Sequence, residues 1–334
     1  MLRPVLTALA LPLLGLLAAT PVWAAKKPTY SYFRLGNSAD VAPTPTPGIV
    51  LMGGSTDVDA AFQWLCQRSG NGDFLVIRAA GTDAYNPYVR ELCPASNSVS
   101  TLIIPTLAAA NDPAVAEILS QAEAVWIAGG DQSNYINYWT GTPVQTTLNA
   151  LIASGTPLGG TSAGTAVLTQ FVYSALASQG ATSAQALADP FHRTMTLARD
   201  FVDLPLLRGI IGDMHFAARD RMGRDLAFLC RVATAGWSAA PRGIAVDEQT
   251  ALLIDAQGNG SVVGIGNVYF LRAPGQPEVC RSKTPLTYRN IAVDRIRAGE
   301  TFHLPTWQRN GGSAYTLTAE AGVVTSTQAG GGIY

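Results

Sequence analysis

The sequence predicts an α/β fold, a parallel sheet wrapped by helices, on two observations. From residue 48 onward, short apolar runs alternate with helix-patterned stretches, the rhythm of strand–helix–strand units. Those runs are apolar at consecutive positions, as strands covered on both faces require.

Ile49 to Met52 is the first run and ends at Gly53-Gly54. Val58, Ala61, Phe62 and Leu65 follow at helical spacing. Phe74 to Ile77 is the second run, ending at Ala79-Ala80-Gly81, and Ser100 to Ile104 is the third. A helix over Pro113 to Gln121 leads to a fourth, Ala124 to Ala128, which ends at Gly129-Gly130. Another helix, Thr146 to Ser154, leads into Pro157-Leu158-Gly159-Gly160. The pattern changes after residue 240. Gly243 to Asp255, Ser261 to Leu271 and Tyr315 to Thr325 read as strands, with turns such as Ala256-Gln257-Gly258-Asn259-Gly260 between them. These strands are expected to extend or flank the sheet, giving one domain over 48–334 with a C-terminal β extension from about 256. Residues 25–47 contain Lys26, Lys27 and Pro43-Thr44-Pro45-Thr46-Pro47, and read as a linker or extended arm.

The N-terminus reads as a secretory signal. Arg3 precedes an apolar stretch from Val5 to Ala19, and Val22-Trp23-Ala24 offers a cleavage site after Ala24. The stretch is shorter than the roughly 20 residues of a spanning helix, and Pro12 interrupts it. A cleaved signal peptide over 1–24, a secreted or periplasmic product and no stable membrane anchor are therefore expected. The net charge of −1 weakens the case for nucleic acid as a partner, which selects a clear positive excess. The four cysteines, Cys66, Cys93, Cys230 and Cys280, form no metal-ligand spacing. An exported chain permits disulfides, and pairing Cys66 with Cys93 and Cys230 with Cys280 closes the shorter loops.

The sharpest local signal is Gly160-Thr161-Ser162-Ala163-Gly164, a G-x-S-x-G between an apolar segment and a helix-like stretch from Thr165 to Phe171. A tight strand-to-helix turn lifts a serine hydroxyl clear of a sheet, so Ser162 is the candidate nucleophile. Of His192, His215 and His303, only His215 stands where an apolar run (Ile210-Ile211-Gly212) meets a helix, the strand-end position where active-site residues concentrate. It is the candidate base. Arg219, Arg221 and Arg224 follow, with Asp220 and Asp225, on what reads as one helix. Beside a catalytic histidine such a cluster reads as a carboxylate clamp, because arginine presents a planar fork. Gly129-Gly130-Asp131-Gln132 places the Gly130 amide as an oxyanion donor, partnered by the Ala163 amide, with Gln132 free to bond substrate. The acid orienting His215 is open among Glu248, Asp247 and Asp213.

Taken together, Gly129–Gln132, Gly160–Gly164, Asp213-x-His215-Phe216 with its three arginines, and Gly243-Ile244-x-x-Asp247-Glu248-x-Thr250-Ala251 resemble the signature segments of the cyanophycinase family. More loosely, they are similar to bacterial aspartyl dipeptidase. The resemblance covers about 48–270 in order and spacing. It implies a flavodoxin-like fold, like that of class I glutamine amidotransferase domains, and commonly a homodimer. It implies a Ser162–His215–Glu248 triad, no cofactor and no metal. Substrate contacts would fall to Gln132, Asp213, Arg219, Arg221 and Arg224. The implied substrate is cyanophycin, a polyaspartate with arginine on each β-carboxyl, or a related β-aspartyl peptide, cut by a serine-type exopeptidase to β-aspartyl-arginine. Met214 stands where the family often carries glutamine, which removes a polar contact. Two other readings compete. An α/β-hydrolase esterase or lipase would order its triad Ser162, Asp247 or Asp294, His303. A non-catalytic exported protein would use the arginines to bind acidic peptides.

Overall fold

The computed structural model describes residues 28–177 and 179–334, so the expected signal peptide over 1–24 lies outside the described residues. The strands, in chain order, are β1 (Ser31–Gly36), β2 (Gly48–Met52), β3 (Asp73–Arg78), β4 (Ser98–Ile103), β5 (Ala124–Ile127), β6 (Leu158–Thr161), β7 (Phe171–Tyr173), β8 (Leu197–Arg199) and β9 (Ile210–Met214). They continue as β10 (Arg242–Val246), β11 (Thr250–Asp255), β12 (Asn259–Gly264), β13 (Asn267–Arg272), β14 (Tyr288–Arg297), β15 (Thr301–His303), β16 (Gln308–Asn310), β17 (Ser313–Glu320) and β18 (Val323–Ser326).

The first sheet runs β1-β4-β3-β5-β6-β2-β11-β12-β15-β16. Its centre, β4-β3-β5-β6-β2, is parallel, and these are the apolar runs of the sequence. Val50, Leu51, Val76, Ile77, Val125 and Trp126 are fully buried, each side chain of this size contributing about 1.5–3 kcal/mol. The helices Asp59–Arg68 and Tyr85–Leu92 cover one face through a cluster that includes Phe62, Leu65 and Val89. Pro113–Ser120, Gln132–Trp139 and Pro143–Ala153 cover the other through Val115, Leu119, Tyr135, Trp139 and Leu148.

A second sheet runs β18-β17-β14-β13-β10-β9-β7-β8, with β9 parallel to both β7 and β10. The helix Met222–Thr234 packs on it through Leu226, Ala227 and Leu229. Here the structure departs from the sequence reading. The expected strand from Gly243 to Asp255 is two strands in different sheets, β10 and β11, separated at Asp247-Glu248-Gln249. Those polar residues interrupt the apolar run, and Gln249 takes a left-handed φ of 54°. The expected strand from Ser261 to Leu271 divides likewise into β12 and β13. Tyr315 to Thr325 is the β17–β18 hairpin. β14 lacks the alternation that would have announced it.

Within the stretch expected as a linker, Ser31–Gly36 forms β1, antiparallel to β4 at the edge of the first sheet. Arg34 bonds Asp73 at 2.9 Å there, and Phe33 and Leu35 are exposed, so the strand lacks the buried apolar run that marks the central strands. The disulfides are Cys66–Cys93 and Cys230–Cys280. No helix of the described residues is long and apolar enough to cross a membrane.

Candidate active site

The carboxyl ends of β2, β3, β5, β6 and β9 meet at one rim, around a pocket of about 390 Å³ lined by Gly54, Asp57, Arg78, Tyr85, Ser162 and His215, among others. In the first sheet the chain leaves β2, passes over β6 and β5, and enters β3. Ligands of parallel sheets bind at such a reversal of strand order.

Ser162 stands on a sharp turn directly after β6, with φ 52° and ψ −116°. This is a strained conformation for a residue with a side chain. Two glycines make the turn feasible. A Cβ on Gly164 would lie 1.9 Å from the Ile127 carbonyl oxygen, and one on Gly160 would lie 2.6 Å from the Gly164 carbonyl carbon. The stretch after Ser162 is shorter than expected. Only Ala163–Ala166 is helical, and the chain has entered β7 by Phe171. The β-branched and aromatic residues there pair into the second sheet instead of extending the helix.

The Ser162 hydroxyl lies 2.8 Å from His215 Nε2, and His215 Nδ1 lies 2.6 Å from Glu248 Oε1. The three segments are fastened to consecutive carbonyls at the end of β2. The Ser162 N–H donates to Met52 at 3.1 Å, the His215 N–H to Gly53 at 2.8 Å and the Gln249 N–H to Gly54 at 3.0 Å. Gly53 and Gly54 are indispensable to this seat. A Cβ on Gly53 would lie 1.9 Å from the Asp247 carbonyl oxygen, and one on Gly54 would lie 2.4 Å from His215 Cε1.

Burial is the main influence holding the His215 imidazole below its usual pKa. The Glu248 hydrogen bond opposes it, and the Arg219 and Arg221 charges add to it. The ring is thus neutral at neutral pH, with one nitrogen able to accept a proton from Ser162 while Glu248 holds the other. The Gly130 and Ala163 amides find no acceptor among the described residues, and Gly129 brings the β5 turn close enough that a Cβ there would sit 3.5 Å from Ser162 Cβ.

The other acids suggested by the sequence do different work. Asp247 is buried and accepts from the Ala217 N–H at 2.9 Å and the Asn267 N–H at 3.0 Å, joining the β9 and β13 ends. Asp213 forms a two-point ion pair with Arg224, their side chains being 1% and 3% exposed. Arg224 lies over the Tyr173 ring, 4.9 Å from its centroid. This pair is directed at itself and not at the pocket. Arg221 bonds the Met214 carbonyl at 2.7 Å, and burial pushes its pKa down to about 10. Arg219 is the exposed arginine at the pocket, 3.7 Å from Glu248. The three arginines do not share a helix. Residues 216–220 form turns, and the helix starts only at Met222, because Arg221 N–H turns back to the Phe216 carbonyl. Gln132 donates to the Tyr173 carbonyl at 3.2 Å.

His303 bonds Thr306 at 2.8 Å, and Asp294 pairs with Arg309, an arrangement with no link to Ser162. His192 likewise bonds Thr194. Among the described residues no group of three or more His, Cys, Asp or Glu is placed to hold a metal ion. Sequence reasoning passed over Asp57, Arg78 and Tyr85, which also line the pocket. The Thr82-Asp83-Ala84-Tyr85 stretch after the β3 turn carries no motif, and only the packing of β3 beside β5 brings it to Ser162.

The family model of peptidase family S51 matches residues 49–259. Among curated proteins the chain is 29% identical over 194 residues to a cyanophycinase of Trichormus variabilis, covering 56% of this chain and 58% of that protein. It is 27% identical over 278 residues to a cyanophycinase of Synechococcus elongatus, covering 78% of this chain and 80% of that protein. The chain thus spans 58% of the length of the first of these relatives. A crystal structure of a peptidase from an acI-B1 Actinobacterium superposes with a TM-score of 0.52 at 16% identity, covering 78% of this chain and 98% of that one. That likeness identifies the α/β fold.

Proposed function

The chain belongs to peptidase family S51, and from that premise we propose that it is a serine exopeptidase that cuts cyanophycin, or related β-aspartyl peptides, to β-aspartyl-arginine. The observation that carries the proposal is the unbroken hydrogen-bond chain from Ser162 through His215 to Glu248, lying under the pocket. The cyanophycinase relatives support the substrate.

In this mechanism the Ser162 oxygen attacks the scissile carbonyl carbon while its proton passes to His215 Nε2. Glu248 stabilises the imidazolium without taking its proton. The oxyanion is held by the Gly130 and Ala163 amides. Collapse of the tetrahedral adduct breaks the C–N bond, and His215 gives its proton to the leaving amine. Water then attacks the acyl-enzyme with His215 again as base, which frees the carboxylate and restores the hydroxyl. Gln132, Arg219 and Arg221 supply direct substrate contacts, with the Asp213–Arg224 pair stiffening the wall behind them. Export to a secreted or periplasmic location is part of the proposal, and the two disulfides suit an oxidising compartment. Association as a homodimer, implied by the family resemblance, is measured by light scattering.

The test is incubation of the purified protein with cyanophycin and detection of β-aspartyl-arginine by mass spectrometry. Ser162→Ala lowers turnover by several orders of magnitude. Near-native turnover by that variant ends the proposal.

A further inference from the structure

Two charged side chains of opposite sign line the pocket beside Ser162 and take no part in the chain through His215. Arg78 stands at the end of β3. Its Nε donates to the Ala80 carbonyl at 2.5 Å and its Nη1 to the Thr82 carbonyl at 3.0 Å. Gly81 lies against the guanidinium, where a Cβ would come within 2.4 Å of Cζ. The fork is therefore held in place by neutral groups, and no carboxylate of the described residues forms an ion pair with it. A fixed guanidinium with its charge unanswered is preorganised for an anion.

Asp57 lines the same pocket. The Tyr85 ring centroid is 6.0 Å from Arg78 Cζ, and the Tyr85 hydroxyl faces Asp57. Asp57 also forms no ion pair with a described residue. Burial, and to a smaller degree the neighbouring Asp59, raises its pKa, and the Tyr85 hydroxyl opposes that rise. A cation placed beside it would relieve that disfavoured charge. The two residues form no ion pair with one another, and Tyr85 is a neighbour of both.

We propose that Asp57, Tyr85 and Arg78 form a further recognition wall of this pocket, in which Arg78 binds a carboxylate of the substrate and Asp57 binds a cationic group. The substrate class is a peptide that presents both charges near its scissile bond. This rests on the reading of Ser162 as a nucleophile.

The test uses fluorophosphonates that label the active serine. One series carries a terminal carboxylate on spacers of increasing length, a second its methyl ester, and a third a guanidinium. Second-order labelling rates of Ser162 are measured by intact-protein mass spectrometry. In the wild-type protein the best carboxylate and guanidinium probes outpace the ester by about 10- to 100-fold, the range of a hydrogen bond to a charged group. Arg78→Gln abolishes the carboxylate preference and keeps the ester rate. Asp57→Asn abolishes the guanidinium preference alone. Should Arg78→Gln fail to fold, Arg78→Lys, which keeps the charge without the fork, is expected to lose much of the carboxylate preference. The proposal is overturned by a wild-type protein that reacts equally with all probes, by a preference that survives the Arg78 variant, or by one that disappears only with Arg219. Absence of labelling by every probe instead removes the nucleophile, and with it both readings.

Discussion

Gly54→Ala is the most revealing single change. The new methyl would lie 2.4 Å from His215 Cε1 and 2.5 Å from Nε2. Ordinary carbon contacts begin near 3.5 Å, so the imidazole must retreat by about 1 Å. Its Nε2 is 2.8 Å from the Ser162 hydroxyl. A displacement of that size along the bond stretches it to nearly 4 Å, beyond hydrogen-bonding range. Misplacement by about 1 Å costs on the order of 100-fold in rate, or about 2.7 kcal/mol of transition-state stabilisation. Alanine must also adopt the φ of +96° that Gly54 takes, which costs about 1–2 kcal/mol of stability. The assay pairs peptide hydrolysis and fluorophosphonate labelling with a thermal melt. Labelling within about threefold of wild type in a folded variant would refute the argument, since it would mean that the close seat of His215 on Gly54 does not govern the reactive geometry.

The remaining predictions concern charge and its burial. The acidic limb of kcat/KM lies below the usual histidine value of about 6.5, because His215 is held down. Arg219→Gln removes one depressing charge and moves that limb to higher pH, and a limb that moves the other way contradicts the assignment of His215 as base. Arg224→Met leaves the buried Asp213 without its two-point partner and lowers stability by about 3–5 kcal/mol, read from urea unfolding. Glu123 accepts the Asp73 N–H at 2.7 Å, and burial pushes its pKa up to about 7. Because the folded pKa is the higher one, its contribution is complete below about 4.5 and is lost as pH rises through about 7. Glu123→Gln flattens that fall in unfolding free energy, and an unchanged slope counts against it.

Much of the fold was legible because the parallel strands are buried on both faces and therefore announce themselves as apolar runs. β2, β3, β4, β5 and the turn at Ser162 could be read in this way, and so could the strand-end place of His215. Strands with one exposed face, or with no apolar pattern, were harder. β1 and β14 carry little pattern, and the breaks at 247–249 and 265–266 are short polar or glycine interruptions within longer runs. Those breaks matter most, since each sends the chain from one sheet to the other.

By itself, the sequence determined the turn at Ser162, the strand-end place of His215 and the fold class, because each depends on neighbours within a few residues. Only the tertiary structure decided that Glu248, and not Asp247 or Asp213, meets His215. Three acids of similar chemistry are sorted by direction: one points along the turn to the imidazole, one straps two strand ends together, and one is consumed by Arg224. Likewise Arg78 and Tyr85 come to the pocket because strand order places β3 beside β5, and Asp57, in the loop after β2, because β2 lies beside β6. That order is set by which buried faces cover one another across the whole domain, a property that no local stretch of residues contains.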